Sequence, residues 1–205
     1  MNLKEYRIFF LVIVSILVLL AAFPGLSLVI SFPEGGEGFS ELWILGPGHM
    51  AEDYPSEVKE GSNYTVYVGV KNHMESSNYY SVRVKFRNQS ETPPQIQPEE
   101  DGGEGIPSPL PTLYEHQVFL EDGEEWETSL NFSFSGFSCN EKRCRVDNLR
   151  INCFSFPVDK PGCWNAAYDG FYYQIFVELW IYNVTSQNFE FHNRFVTRWL
   201  NMTTA

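Results

Sequence analysis

Four side chains able to do chemistry fall close together in the stretch ILGPGHMAEDYPSEVKEGSNYTVYVGVKNH, residues 44–73. They are His49, Glu52, Asp53 and His73, in a chain with only four histidines. Imidazoles and carboxylates gathered this way are the donor set of a zinc site or an acid–base pair. A zinc site needs three or four such groups to converge, usually two of them at close spacing on one element. His49 and His73 lie in turns flanking neighbouring strands, and nothing in their spacing forces them together. They stand as candidate metal ligands, but the simpler reading is structural. Gly46, Pro47 and Gly48 make a turn that Asp53 brackets with its carboxylate, Tyr54 and Pro55 pack beneath it, and Asn72-His73 closes a strand.

Other chemistry finds little support. There is no G-x-S-x-G, no Gly-rich phosphate loop after a strand and no H-E-x-x-H. The acid pairs Glu99-Glu100 and Glu124-Glu125 sit in polar loops, whereas general acid–base work needs desolvated carboxylates. The expectation is therefore a chain without catalytic residues, cofactor or small-molecule substrate. A net charge of −12 over 205 residues repels phosphate backbones and argues against nucleic acid as a partner.

Four cysteines, Cys139, Cys144, Cys153 and Cys163, follow the spacing C-x4-C-x8-C-x9-C. Zinc ribbons use two tight C-x2-4-C pairs, so disulfides are the expectation. Four cysteines allow three pairings. Cys139–Cys144 with Cys153–Cys163 closes two short local loops and would staple residues 138–165. Five N-x-S/T sequons, at Asn63, Asn88, Asn131, Asn183 and Asn201, fit a glycosylated surface.

Both features belong outside a cell, and the N-terminus explains how the chain gets there. Residues 8–32 carry no charge, and a helix rising about 1.5 Å per residue makes such a run long enough for a hydrocarbon core of roughly 30 Å. Lys4 and Arg7 precede it, which keeps residues 1–7 cytoplasmic and sends the rest outside. The expected organisation is a single-pass transmembrane anchor over 8–32, a Gly- and Glu-rich stalk over 33–39 and an extracellular domain over 40–205. The rival reading is a signal peptide cleaved near Ala21-Ala22, but Leu20 is too large for that signature and the apolar run resumes after Pro24-Gly25.

The elements that must position any site have a period of two. Tyr64, Val66, Val68 and Val70 alternate with Thr65, Tyr67, Gly69 and Lys71; Tyr80, Val82, Val84 and Phe86 alternate with Ser81, Arg83, Lys85 and Arg87. Trp126, Thr128, Leu130, Phe132 and Phe134 form a third such series. This is the pattern of antiparallel strands with one buried face. Residues 171–182 are apolar on both faces and read as a central strand. Further strands are expected at 40–46, 114–121, 146–154 and 189–200, between turn signals. About eight short strands point to an all-β, immunoglobulin-like two-sheet antiparallel sandwich. The proline-rich, acidic segment 89–112 reads as a long mobile loop, unable to bury enough apolar area to order itself.

LWILGPGHMAEDYP, VKEGSNYTVYVGVKNH and NYYSVRVKF, with LEDGEEWETSLNFSFSG and FYYQIFVELWIYNVT downstream, resemble a family of mainly archaeal membrane proteins known only as domain of unknown function sixteen-sixteen. The resemblance spans about residues 40–185. It implies an immunoglobulin-like β domain outside a membrane anchor and no known activity. Many members carry several spans before the domain, where this chain has one, and the cysteine cluster and proline-rich loop lie outside the family pattern.

The expected role is a membrane-anchored binding or structural module, an accessory subunit of a membrane or cell-envelope complex serving glycosylation or a surface layer. Two alternatives remain. In one, a secreted filament or envelope subunit donates residues 23–32 as an apolar strand to its neighbour. In the other, the chain is a metal-dependent surface enzyme.

Overall fold

A computed structural model describes residues 6, 7, 10–16, 38–96 and 105–203. The chain divides into two units, Met1–Glu37 and Gly38–Ala205. In the first, residues 10–16 are helical. No helix among the described residues is long and apolar enough to cross a membrane. The expected anchor (8–32), stalk and cleavage point lie largely outside the described residues.

The second unit contains ten strands: β1 Phe39–Leu45, β2 Glu57–Val58, β3 Asn63–His73, β4 Asn78–Asn88, β5 Tyr114–Leu120, β6 Glu125–Cys139, β7 Arg143–Ile151, β8 Phe154–Cys163, β9 Tyr172–Asn183 and β10 Asn188–Met202. They form two five-stranded sheets, ordered β1-β3-β6-β7-β8 and β2-β10-β9-β4-β5. All pairings are antiparallel except the short β2–β10 contact. The alternation read from the sequence is the alternation observed. Val66, Val68, Val70, Leu130, Phe132 and Phe134 of the first sheet meet Tyr80, Val82, Val84, Phe86, Ile175, Val177 and Leu179 of the second. Burying side chains of this size contributes roughly 1.5–3 kcal/mol each before the entropy of ordering them.

Polar side chains also cross the gap between the sheets. Tyr80 Oη donates to Asn72 Oδ1 at 2.9 Å. Ser40 Oγ lies 2.7 Å from the same phenol, and His192 Nε2 lies 3.0 Å from Ser40 Oγ. Each hydroxyl has one proton, so the chain runs one way: His192 donates to Ser40, Ser40 to Tyr80, Tyr80 to Asn72. Burial, reinforced by the nearby Arg194 charge, pushes the His192 pKa down to about 4. Asn72 goes further than closing a strand. It is fully buried, and its Nδ2 donates to the carbonyls of Ser76, Leu120 and Glu121, pinning two turns.

Three expectations need correction. The 146–154 region is not one strand. Asn152, with φ 52°, turns the chain between β7 and β8, which extend the first sheet as a hairpin. The cysteines follow from this. Cys139 and Cys144 are cross-strand partners at the end of the β6–β7 hairpin and are disulfide-bonded. Cys153 and Cys163 are exposed free thiols at opposite ends of β8, about 30 Å apart at 3.3 Å per residue, so they do not pair. Finally, the described parts of 89–112 are not a loose loop. Residues 89–96 and 105–112 lie across the outer face of the second sheet, joined by a Gln95–Ile106 bridge; residues 97–104 are outside the described set.

Candidate binding surface

His49 Nδ1 lies 2.7 Å from Glu127 Oε1, and its ring stacks on Tyr67 at 3.6 Å. Glu127 also accepts from Trp43 Nε1 at 3.0 Å. Trp43 covers Gly69, where even a Cβ would meet the indole at 2.2 Å. His73 pairs with Glu41 at 3.0 Å and stacks on Phe39. Leu45 pairs with Tyr67 and Phe39 with His73, so the two histidines sit at opposite ends of the β1–β3 ladder and do not converge. No group of three metal-ligating side chains is found among the described residues. Asp53 takes φ 53°, and its contribution to the turn is backbone geometry. Tyr54 packs as expected, donating to the Ile44 carbonyl at 2.8 Å under the Arg198 guanidinium.

Among the sequons, Asn63 and Asn131 are exposed, and Asn183 and Asn201 are half-buried. Asn88 cannot carry a glycan in this fold. It is buried, its Nδ2 donates to Pro161 O at 2.8 Å, and its Oδ1 accepts from Ser90 and Glu91.

The richest constellation lies on the outer face of the second sheet, which the sequence marked as polar. Its centre is dry. Lys85 Nζ and Glu178 Oε2 form a buried ion pair at 2.9 Å. Glu178 also accepts from Ser108 N at 2.8 Å and Trp180 Nε1 at 3.1 Å, and Lys85 donates to Ser108 O at 2.7 Å. Ser108 belongs to the proline-rich segment, so the ion pair clamps that strap through one residue's N–H and C=O. Ser108 Oγ bonds Thr92 O, Arg87 Nη1 donates to Glu91 O, and Lys160 pairs with Glu91. Burial lowers the Arg87 pKa, with Glu91 opposing the shift. At Gly105 the strap crosses β10 so closely that a Cβ would strike Asn193.

Beyond the strap the same face turns aromatic. Phe119 of β5 is the cross-strand partner of Tyr79 of β4, and Tyr182 of β9 that of Phe189 of β10. Tyr79 meets Tyr182 at 6.3 Å and Phe189 at 5.3 Å, and Tyr182 meets Phe189 at 5.4 Å. Three rings from β4, β9 and β10 thus touch, and the register with Tyr79 places Phe119 of β5 at the end of the same row. Phe119 is 60% exposed, and Tyr79 and Tyr182 are 37% and 36%. Arg83 backs the row, 4.1 Å over the Trp180 ring. Its neighbour Glu115 is held below the usual carboxylate range: partial burial would raise it, but Ser81, Gln117 and Arg83 outweigh that.

The ring planes in the row meet at 47–72°, an edge-to-face cluster and not a flat platform. Such a surface suits burial against another apolar surface. In the second unit, a concavity of about 270 Å³ between Trp164, Asp169, Phe171 and Asn201 falls below the size of ordinary ligand pockets.

The row had a sequence signal. Tyr79, Phe119 and Tyr182 stand one position out of phase with the core residues Tyr80, Leu120 and Ile181. Aromatics on the wrong parity of an alternating strand either serve a second layer or wait for a partner.

No curated protein matches the chain. Among solved structures, the CARDB domain of a Pyrococcus furiosus protein, determined with di-metal ions, is 12% identical, with 82% of this chain and 90% of that one covered and a TM-score of 0.41. A Listeria innocua β-glucosidase is 13% identical at a TM-score of 0.42; the match covers 82% of this chain but only 16% of the enzyme. A PapD-like domain of a human protein is 8% identical, covering 81% and 84% at a TM-score of 0.28. The family model Domain of unknown function (DUF1616) matches residues 33–147, more than half the chain and every strand from β1 to β6 together with the strap. With that match, the sandwich takes its place as a member of the DUF1616 family.

Proposed function

We propose that this chain is a non-catalytic binding module, held outside the membrane by its apolar N-terminal segment, that acts as an accessory subunit of a membrane or cell-envelope complex. The observation that carries the reading is the Phe119–Tyr79–Tyr182–Phe189 row. Exposed apolar patches bounded by polar residues mark interaction sites, and aromatics concentrate in the centres of protein interfaces. The row shares one end of the sandwich with Phe39, where the domain begins. The histidines pair one by one with carboxylates on neighbouring strands, His49 with Glu127 and His73 with Glu41, which supports a role in contact over one in metal chemistry.

Gentle detergent extraction from native membranes followed by intact-mass analysis tests this. The expected result is full-length chain, added glycan mass and stoichiometric protein partners. Tyr182→Glu, on an exposed face, is expected to lose the partners while keeping the β circular-dichroism spectrum. A chain processed near Phe23 that associates only with itself would replace this reading with the filament one. Partners retained at full stoichiometry by Tyr182→Glu would remove the row from the interface.

A further inference from the structure

The sandwich has several strand edges, and they are not equally protected. An edge strand exposes unpaired N–H and C=O groups, and proteins blunt such edges with proline, bulges, charges or cover. β8 carries Pro157 and Pro161, and its register breaks where Asp159 adopts φ 46°. Two missing donors and a bulge leave no continuous ladder there. β1 is held at one end by the Ser40–His192 bond, and its Ile44 carbonyl is taken by Tyr54. β10 is broken by the bulge between Phe191 and Arg194 and is flanked by β2. β5 has neither proline nor bulge; Glu115 is its one carboxylate, and Asn72 takes only the carbonyl of its last residue, Leu120. Its seven residues, YEHQVFL, contain no proline or glycine, and its register with β4 runs unbroken from Asn78–Leu120 to Val84–Tyr114. Among the described residues it is the long edge of the second sheet, opposite the two-residue β2.

We infer that β5 is an acceptor edge for an extended segment of a partner protein, which adds as a sixth strand to the second sheet beside the aromatic row. The partner's chemistry follows from the residues along the edge. Tyr114, His116 and Val118 are half-buried along the inner side and call for apolar side chains at alternate positions. Glu115, Gln117 and Phe119 are exposed along the outer side. With Glu121, Asp122, Glu124 and Glu125 in the following turn and strand, and a chain charge of −12, they call for lysine or arginine between the apolar positions. A basic side chain opposite Glu115 pairs with a carboxylate, and one opposite Phe119 lies against an aromatic ring. Main-chain hydrogen bonds supply affinity and the alternating side chains supply register. The inference rests on the binding-module reading and adds the partner's conformation and charge.

The test is hydrogen exchange on the full-length chain in detergent, with a capped octapeptide of alternating valine and lysine as the probe. At a peptide concentration about ten times its dissociation constant, exchange in 114–120 is expected to slow about tenfold, while 154–163 is unchanged. A valine–glutamate peptide is expected to give no protection. Phe119→Lys, on an exposed side chain, is expected to weaken the valine–lysine peptide at least about fivefold without loss of fold, by placing like charges together. Unchanged exchange in 114–120 up to about 1 mM peptide, equal protection of 154–163, or indifference to peptide charge would each overturn the inference. None of those results touches the co-extraction of partners, so the broader reading falls only by its own experiment.

Discussion

Replacing Glu178 by glutamine changes one oxygen to an amide and keeps the side-chain volume, so its effect isolates the charge. In the native domain Glu178 takes three donors: Lys85 Nζ, Ser108 N and Trp180 Nε1. Glutamine offers one acceptor oxygen and brings two N–H donors into a site already lined with donors. Lys85 is left buried beside a neutral amide, and at least one of Ser108 N and Trp180 Nε1 loses its acceptor. Removing one member of a buried ion pair costs about 3–5 kcal/mol, and an unsatisfied buried donor about 1–3 kcal/mol. These overlap, so Glu178→Gln is expected to lose about 4 kcal/mol in urea unfolding of the domain, with the m-value unchanged. Hydrogen exchange is expected to locate the loss, with Ser108 opening ahead of the global transition. Lys85→Met with Glu178→Leu removes both charges and is expected to be milder than Glu178→Gln, its residual cost being the Ser108 N–H, the Ser108 carbonyl and the Trp180 Nε1–H left without these partners. A loss below about 1 kcal/mol for Glu178→Gln, or equal losses in the single and double variants, would refute the clamp.

His192 gives a pH dependence with a definite sign. Its pKa falls from the ordinary 6.5 to about 4 on folding, so the unfolded chain binds the extra proton between those values. Stability from this group is complete above about pH 6.5 and declines by up to about 3 kcal/mol as pH falls toward 4; unfolding midpoints across that range check it, and in His192→Gln the slope above about pH 5.5 is expected to vanish, leaving below it the contribution of carboxylates such as Glu115. Gly69→Val drives a side chain into the Trp43 indole and is expected to cost about 1–3 kcal/mol and to change tryptophan fluorescence. Alkylation without reductant is expected to add two labels, at Cys153 and Cys163, and four after reduction under denaturing conditions, read by intact mass.

Strand identity was legible because alternation is local: each of β3, β4 and β6 announces its inner face within ten residues. β9 was legible as a central strand because Phe176, on its outer side, is as buried as Val177 on its inner side. What covers Phe176 was not legible. Proline- and acid-rich composition correctly signals that the strap has little apolar area to bury. The strap is ordered instead by hydrogen bonds to Glu178 and Lys85, seventy and twenty-three residues from Ser108. The β7–β8 hairpin was hidden because Pro157 and Pro161, which read as breakers, sit on an edge strand where a missing N–H is tolerated. His49 and His73 share a sequence neighbourhood that did not require them to meet, and an extended strand carries one to each end of the β1–β3 ladder.

The most direct test of the binding face is side-chain oxidation by hydroxyl radicals in native membranes, compared with the purified full-length chain. The account predicts that Tyr79, Phe119, Tyr182 and Phe189 are protected several-fold in the membrane, while Tyr168, 71% exposed just before β9 and far along that strand from Tyr182, oxidises equally in both. Equal oxidation of the row in both preparations would contradict it, leaving the aromatic face of the second sheet without an occupant.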